Sequence, residues 1–109
     1  MAPNHAGAHL SFGRTLIGSN RAGRGIAKCE QALALDHNLA NAHAFIGAAK
    51  YFLGRGSETE THIREMLRLS PRDTFAYAWM AVVGVVKLTL GADEEAVTWL
   101  QRGVEANPN

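Results

Sequence analysis

The fold class the sequence predicts is an all-α solenoid of three helix hairpins, six helices in all. Two observations predict it. The first is self-similarity. One displacement of the chain along itself brings His9 onto His43, Gly13 onto Gly47, Leu33 onto Leu67 and Leu35 onto Leu69, with Ala6 and Ala8 on Ala40 and Ala42. A slightly longer displacement brings Gly47 onto Gly84, Gly54 onto Gly91 and Pro71 onto Pro108. The third unit therefore carries about three extra residues, placed near Asp73 to Ala76 as roughly one added helical turn. The second observation is the alternation of helical runs with breaks, clearest in the unit 40–73. There Gly54-Arg55-Gly56 separates two runs and Pro71 ends the second. A period of about 34 residues, carried by helix–turn–helix units, means stacked pairs that each bury the apolar side of a neighbour.

Taken in order, Met1 to His5 is expected to be a frayed tail. The first unit (about 6–39) opens with a helix over Ala6–Gly18. It is weak, because Gly7, Gly13 and Gly18 lower its propensity, and its apolar residues form two stripes, Leu10 with Ile17 and Phe12 with Leu16. Ser19-Asn20-Arg21 is the turn. A second helix over Ala22–Leu35 buries Ile26, Cys29, Ala32 and Leu33 at helical spacing, and Asp36-His37-Asn38 closes the unit. The second unit (about 40–73) has a helix over Leu39–Leu53, with Asn38 as the expected N-cap. Gly54 suits the left-handed residue just past its end. A helix over Ser57–Leu69 follows, where Ser57 and Glu60 have capping-box spacing and Glu60 pairs with Arg64. Its expected buried side is Ile63, Met66, Leu67 and Leu69. The third unit (about 74–109) has Asp73 capping a helix to Leu90 that is apolar almost all round, and so is expected to be buried on most sides. Gly91 ends it. Asp93 caps the last helix, Glu94 and Glu95 suit its positive end, and Val97, Leu100 and Val104 form its apolar stripe with Trp99 beside it. No capping helix with a polar outer face follows, so the end is expected to meet further repeats of a longer chain, a partner or a second copy.

On these residues the chain resembles the tetratricopeptide (TPR) repeat family. The matching positions are His9, Phe12, Gly13 and Ala32, then His43, Ile46, Gly47, Tyr51, Leu53, Gly54, Leu67 and Pro71. In the third unit they are Met80, Val83, Gly84, Leu90, Gly91, Ala96 and Pro108. His37, Gly25, Thr59 and Met66 depart from the family pattern. The resemblance implies a right-handed solenoid and a protein or peptide partner held in the concave groove of the leading helices. Carried onto this chain, the groove residues are Leu10, Arg14 and Ile17; Asn41, Ala44, Ala48, Tyr51 and Phe52; and Ala78, Ala81, Val85 and Leu88. Only Arg14 and Asn41 suit the family's carboxylate clamp, so the groove reads as mostly apolar and fit for an amphipathic helix or apolar peptide. The stretch from Cys29 to Glu60, with Leu67 to Thr74, also resembles TPR regions that follow the catalytic domain in some bacterial class III adenylate cyclases. That resemblance implies a regulatory or self-association segment, with a homodimer as one form.

Composition excludes several classes. The 109 residues carry a net charge of +1, with 47% hydrophobic and 19% charged residues. This is globular composition without the basic stripe that nucleic-acid binding needs. The most apolar stretch, Phe75 to Val86, is too short to span a bilayer, so no membrane partner is expected. The single cysteine, Cys29, rules out an intrachain disulfide and suits a reducing, cytoplasmic location. No H-x-x-x-H, H-E-x-x-H or C-x-x-C pattern occurs among the five histidines and the cysteine, so metal and cofactor are both expected to be none. Cys29 lacks a sequence-local base, and nothing assembles a nucleophile, base and orienting group. The expectation is a non-catalytic interaction module.

Overall fold

The computed structural model describes residues 5–108; residues 1–4 of the expected tail, and Asn109, lie outside them. The chain folds into α1 (Ala6–Gly18), α2 (Ala22–Leu35), α3 (Ala40–Phe52), a 3₁₀ turn (Gly56–Glu58), α4 (Thr59–Leu69), α5 (Ala76–Thr89) and α6 (Asp93–Ala106), with no strand among the described residues. Helices pack as α1 on α2, α3 on α4 and α5 on α6. The hairpins join through α2 on α3 and α4 on α5, and the leading helices touch in the series α1, α3, α5. The result is a two-layer stack measuring 48 × 29 × 20 Å. Its radius of gyration of 14.0 Å exceeds the roughly 13 Å of a compact domain this long, as expected when each hairpin meets only its neighbours.

The repeat is visible in the backbone. Asn20, Gly54 and Gly91 recur in register, each just past a leading helix, with φ of 65°, 78° and 78°. At each of these ends two hydrogen bonds close the same double-looped cap. Arg21 N–H donates to the Leu16 carbonyl, Arg55 N–H to Lys50 and Ala92 N–H to Lys87 (2.8, 2.8 and 2.9 Å). Asn20, Gly54 and Gly91 N–H donate to Ile17, Tyr51 and Leu88 (3.3, 3.0 and 3.1 Å). Asn20 is thus the first unit's counterpart of Gly54, which the turn reading of Ser19-Asn20-Arg21 does not reveal. A side chain in this conformation is strained by about 1 kcal/mol, less for Asn. Asn20→Gly is therefore expected to raise stability slightly, by no more than about 0.5 kcal/mol after the unfolded chain's added freedom is counted, with a small rise in melting temperature. A lowered melting temperature would remove this account of the turn.

Within each hairpin the helices cross at one small position, again in register. Gly13 meets Gly25, Gly47 meets Thr59, and Gly84 meets Ala96. A methyl on Gly13 would lie 2.9 Å from the Gly25 carbonyl, and one on Gly47 or Gly84 would lie 3.3 Å from the carbonyl of Thr59 or Ala96. At the middle crossing the fully buried Thr59 hydroxyl donates to the Gly47 carbonyl at 2.8 Å. Two core clusters sit between the hairpins. One joins Ile17, Ile26 and Cys29 to Ala42, Ile46 and Ala49; the other joins Ala44, Ile63 and Met66 to Val83 and Trp99.

Several local expectations are corrected. The three extra residues are not an added helical turn near Asp73. The ends of α2 and α4, Leu35 and Leu69, still match under the shorter displacement, whereas the turn at Asp36 recurs at Asp73, under the longer one. Ser70-Pro71-Arg72, between Leu69 and Asp73, is the insertion. Asn38, Ser57, Asp73 and Asp93 do not cap helices, since none of these helix starts has a side-chain cap hydrogen bond. Asp36 and Asp73 instead accept from the backbone N–H groups of Asn38 and Phe75 (3.0 and 2.8 Å), forming turns ahead of the helix. Glu60 is drawn from the capping box to the cations Lys87 and Arg64. α5 is buried or half-buried along most of its length but leaves one side open: Val85 and Leu88 are exposed, as is Phe75 just before the helix. α6 is buried through Ala96, Trp99 and Gly103, while Val97 and Val104 of the expected apolar stripe face solvent. Trp99 takes the inner position, and the guanidinium groups of Arg64 and Arg102 lie over its ring, 5.0 and 4.3 Å from the centroid.

Candidate functional site: an aromatic trough on the leading helices

Leading helices α3 and α5 diverge enough to leave two hollows that share Ala78 and Val82 and so form one trough. The first, about 370 Å³, is walled by Phe45, Phe75 and Trp79 and reaches Arg14 and Asn41 at its open edge. The second, about 290 Å³, is walled by Ala48, Tyr51 and Phe52 from α3 and by Ala81 and Val85 from α5. Volumes of this order suit a few side chains of a partner.

The trough has a direction. At one end the Arg14 guanidinium sits 5.7 Å from the Phe45 ring centroid, and Phe45 meets Trp79 edge-on at 5.7 Å. At the other end Tyr51 and Phe52 stand 6.0 Å apart, and the lining residues there are uncharged. Phe75 and Phe52 are 61% and 64% exposed, a costly arrangement for aromatic rings unless something covers them.

Of the residues expected in the groove, Arg14, Asn41, Ala48, Tyr51, Phe52, Ala78, Ala81 and Val85 line the trough. Ala44 is fully buried in the core beneath it, and Ile17 lies in the other core cluster with Leu10 packed against it. Leu88 is half exposed but lines neither hollow. Sequence reasoning missed Phe45, Phe75, Trp79 and Val82. The signal was present: Asn41, Phe45, Ala48 and Phe52 recur at helical spacing on one face of α3, and Ala44 lies about 100° round the helix from it.

Elsewhere the titratable groups with shifted values sit in the core, in a stacked pair or in ion pairs. Burial, aided by Glu30, pushes the Cys29 thiol up to about 11, and its side chain is inaccessible. Since the thiolate is the reactive form, Cys29 is expected to resist iodoacetamide in the native protein and to react once urea unfolds it. Rapid native labelling would contradict this packing. His43 and His62 stack across α3 and α4 at 6.2 Å, and His43 Nδ1 is buried without a hydrogen-bond partner. Lys87 on α5 ties Glu60 of α4 (2.7 Å) to Glu95 of α6 (2.6 Å). Among the described residues no group of three or more His, Cys, Asp or Glu could hold a metal ion, and no helix is long and apolar enough to cross a membrane.

No family model and no curated protein matches the chain. Solved structures do. One, described as the crystal structure of MamA, superposes with a TM-score of 0.81 at 20% identity, over 93% of this chain. The chain spans 57% of the length of that structure. At this identity the likeness speaks for the fold alone, and with the register described above it establishes an all-α, TPR-like solenoid of helix hairpins.

Proposed function

We propose that the chain is a non-catalytic interaction module that holds an apolar protein segment, best an amphipathic helix, in the trough between α3 and α5. The observation that carries this reading is the exposure of Phe52 and Phe75 at the two ends of a continuous apolar trough. A helix laid along it would place apolar side chains at i, i+3 or i+4 and i+7 into the two hollows. Arg14 and Asn41, at one end only, would set its direction by meeting a carboxylate or amide. The chemistry asks for burial and orientation, which a wall of aromatic and small residues provides and a reactive group does not.

The test selects binders from a displayed library of amphipathic helical peptides and measures their affinity for the wild type and for Val82→Glu. A carboxylate in the shared floor of both hollows should weaken selected peptides by about tenfold or more, since burying an unpaired charge costs well over about 1.4 kcal/mol. Val97→Glu, on the far face of α6, should leave affinity unchanged. Peptides indifferent to Val82→Glu would move the site elsewhere.

A further inference from the structure

The two end faces of the stack carry, in register, the counterparts of the two sides of the joint that holds its hairpins together. At each internal joint a trailing helix presents two residues one turn apart: Cys29 and Leu33 of α2, then Ile63 and Leu67 of α4. They pack with Ile46 of α3 and Val83 of α5. Register carries the trailing pair Ile63 and Leu67 onto Leu100 and Val104 of α6, under the displacement that carries Gly47 onto Gly84. It carries the leading residue Ile46 back onto Phe12 of α1, under the displacement that carries Gly47 onto Gly13. Among the described residues both end faces are open: Val104 is 76% exposed, and Phe12 is 47% exposed with the Lys28 ammonium 5.2 Å from its ring centroid. Leu100 and Val104 flank a shallow hollow of about 400 Å³, while Ala8, Ser11 and Thr15 around Phe12 are small and exposed, leaving room for an incoming helix.

We propose that a second copy of this chain docks its α1 face on the α6 face, head to tail, continuing the internal joint from copy to copy. The contact is heterologous, so it leaves a free face of each kind at the ends and grows with concentration instead of closing at two. It is small, which makes it weak and reversible. It uses neither wall of the trough, so it stands apart from the peptide-binding reading.

The experiment is sedimentation of the full chain across a concentration series from micromolar to millimolar. The weight-average mass should rise steadily past twice the monomer. Val104→Glu and Phe12→Glu alter exposed side chains, and unchanged circular dichroism and melting would show both variants folded. Each alone should stay monomeric. Mixed together they should form a one-to-one pair that stops at two chains, because the Phe12→Glu copy keeps its α6 face and the Val104→Glu copy keeps its α1 face. A wild type that remains monomeric throughout would overturn the proposal and leave the faces to other chains. So would a closed dimer indifferent to Phe12→Glu, which would mean α6 pairing with itself, or an assembly that survives both substitutions.

Discussion

Gly25→Val should cost about 3 kcal/mol and detach α1 from the stack. A side chain at Gly25 would place its first carbon 2.8 Å from the Gly13 carbonyl and 3.1 Å from the Ile17 amide. These are backbone atoms, which cannot turn aside as a side chain can, so the two helices must separate. α1 has little to resist with. It contains Gly7, Gly13 and Gly18, starts without a side-chain cap and has no acidic residue in its first turn. Much of its stability comes from Leu16 and Ile17 buried against α2 and α3, and separation exposes that surface. The control is a near neighbour: Gly23, in the same helix, has nothing within 4 Å of an added methyl. Gly23→Ala should raise stability by roughly 0.5 kcal/mol through helix propensity alone. Urea unfolding midpoints decide the matter, and amide exchange should show α1 protection lost in Gly25→Val while α5 and α6 keep theirs. Equal shifts in the two variants would sink the idea that backbone contact at this crossing fixes the hairpin.

That crossing also marks how far the sequence can be read. The period was legible from matched positions, the crossing glycines Gly13, Gly47 and Gly84 among them, and the left-handed Gly54 from its own geometry; that Gly13 and Gly25 let two helices meet was not, since they read only as a weakness of the helix and a departure from the family pattern. Glycine is nearly the only residue that permits such contact, so its recurrence reports backbone position directly. Helix starts were less legible. A Ser or Asp before a helix fits several hydrogen-bond schemes, and the choice between an N-cap and a turn further upstream depends on where the preceding helix points. Glu60 shows the same limit. Its spacing from Ser57 suits a capping box, but Lys87, near the far end of α5, reaches it at 2.7 Å. No local pattern reveals a partner brought in by the next hairpin.

The trough was half legible for a related reason. A helix that packs on two sides and faces a hollow on a third has several apolar stripes, and one step along the chain turns the face by about 100°. Ala44 and Phe45 are both apolar. Only the contact of Ala44 with Ile63 and Met66 shows which of them is core and which is wall. On α5 nearly every residue is apolar, so composition could not distinguish the face against α4 and α6 from the face left open in the trough. The same reasoning explains α6. Ala96 and Gly103 are small because α5 lies against them: a methyl on Gly103 would sit 3.0 Å from the Tyr77 carbonyl. The larger Val97 and Val104, which look like core in a stripe analysis, are the residues that face outward.

Acidification should loosen the middle hairpin before it affects the rest, through the stacked pair His43 and His62. Both imidazoles are held below their ordinary value of 6.5, chiefly because burial disfavours the charged form. Arg68 adds to this for His43, and His43 and Lys50 add to it for His62; Glu65 opposes it at His43, and Glu58 and Glu30 oppose it at His62. The folded protein therefore prefers both rings neutral, and the unfolded chain binds more protons. Their contribution is complete above about pH 6.5 and is lost as pH falls from there towards the lowered folded values. Each group can steepen the decline by at most about 1.4 kcal/mol per pH unit. The carboxylates of Glu58, Glu60 and Glu65 are also held below their ordinary 4.5, so the stability they give is present above that value and fails only in more acid solution. The two windows separate. Urea unfolding between about pH 7.5 and 5 should show stability falling in the wild type, with a shallower slope in His62→Gln and a nearly flat one in the double variant His43→Gln, His62→Gln. Chemical shifts of the two imidazoles, followed through the same range, should change in a broadened or two-step titration, since a charge on either ring raises the cost of a charge on the other. A slope that survives the double substitution would place the acid sensitivity elsewhere and leave the stacked pair a matter of packing alone.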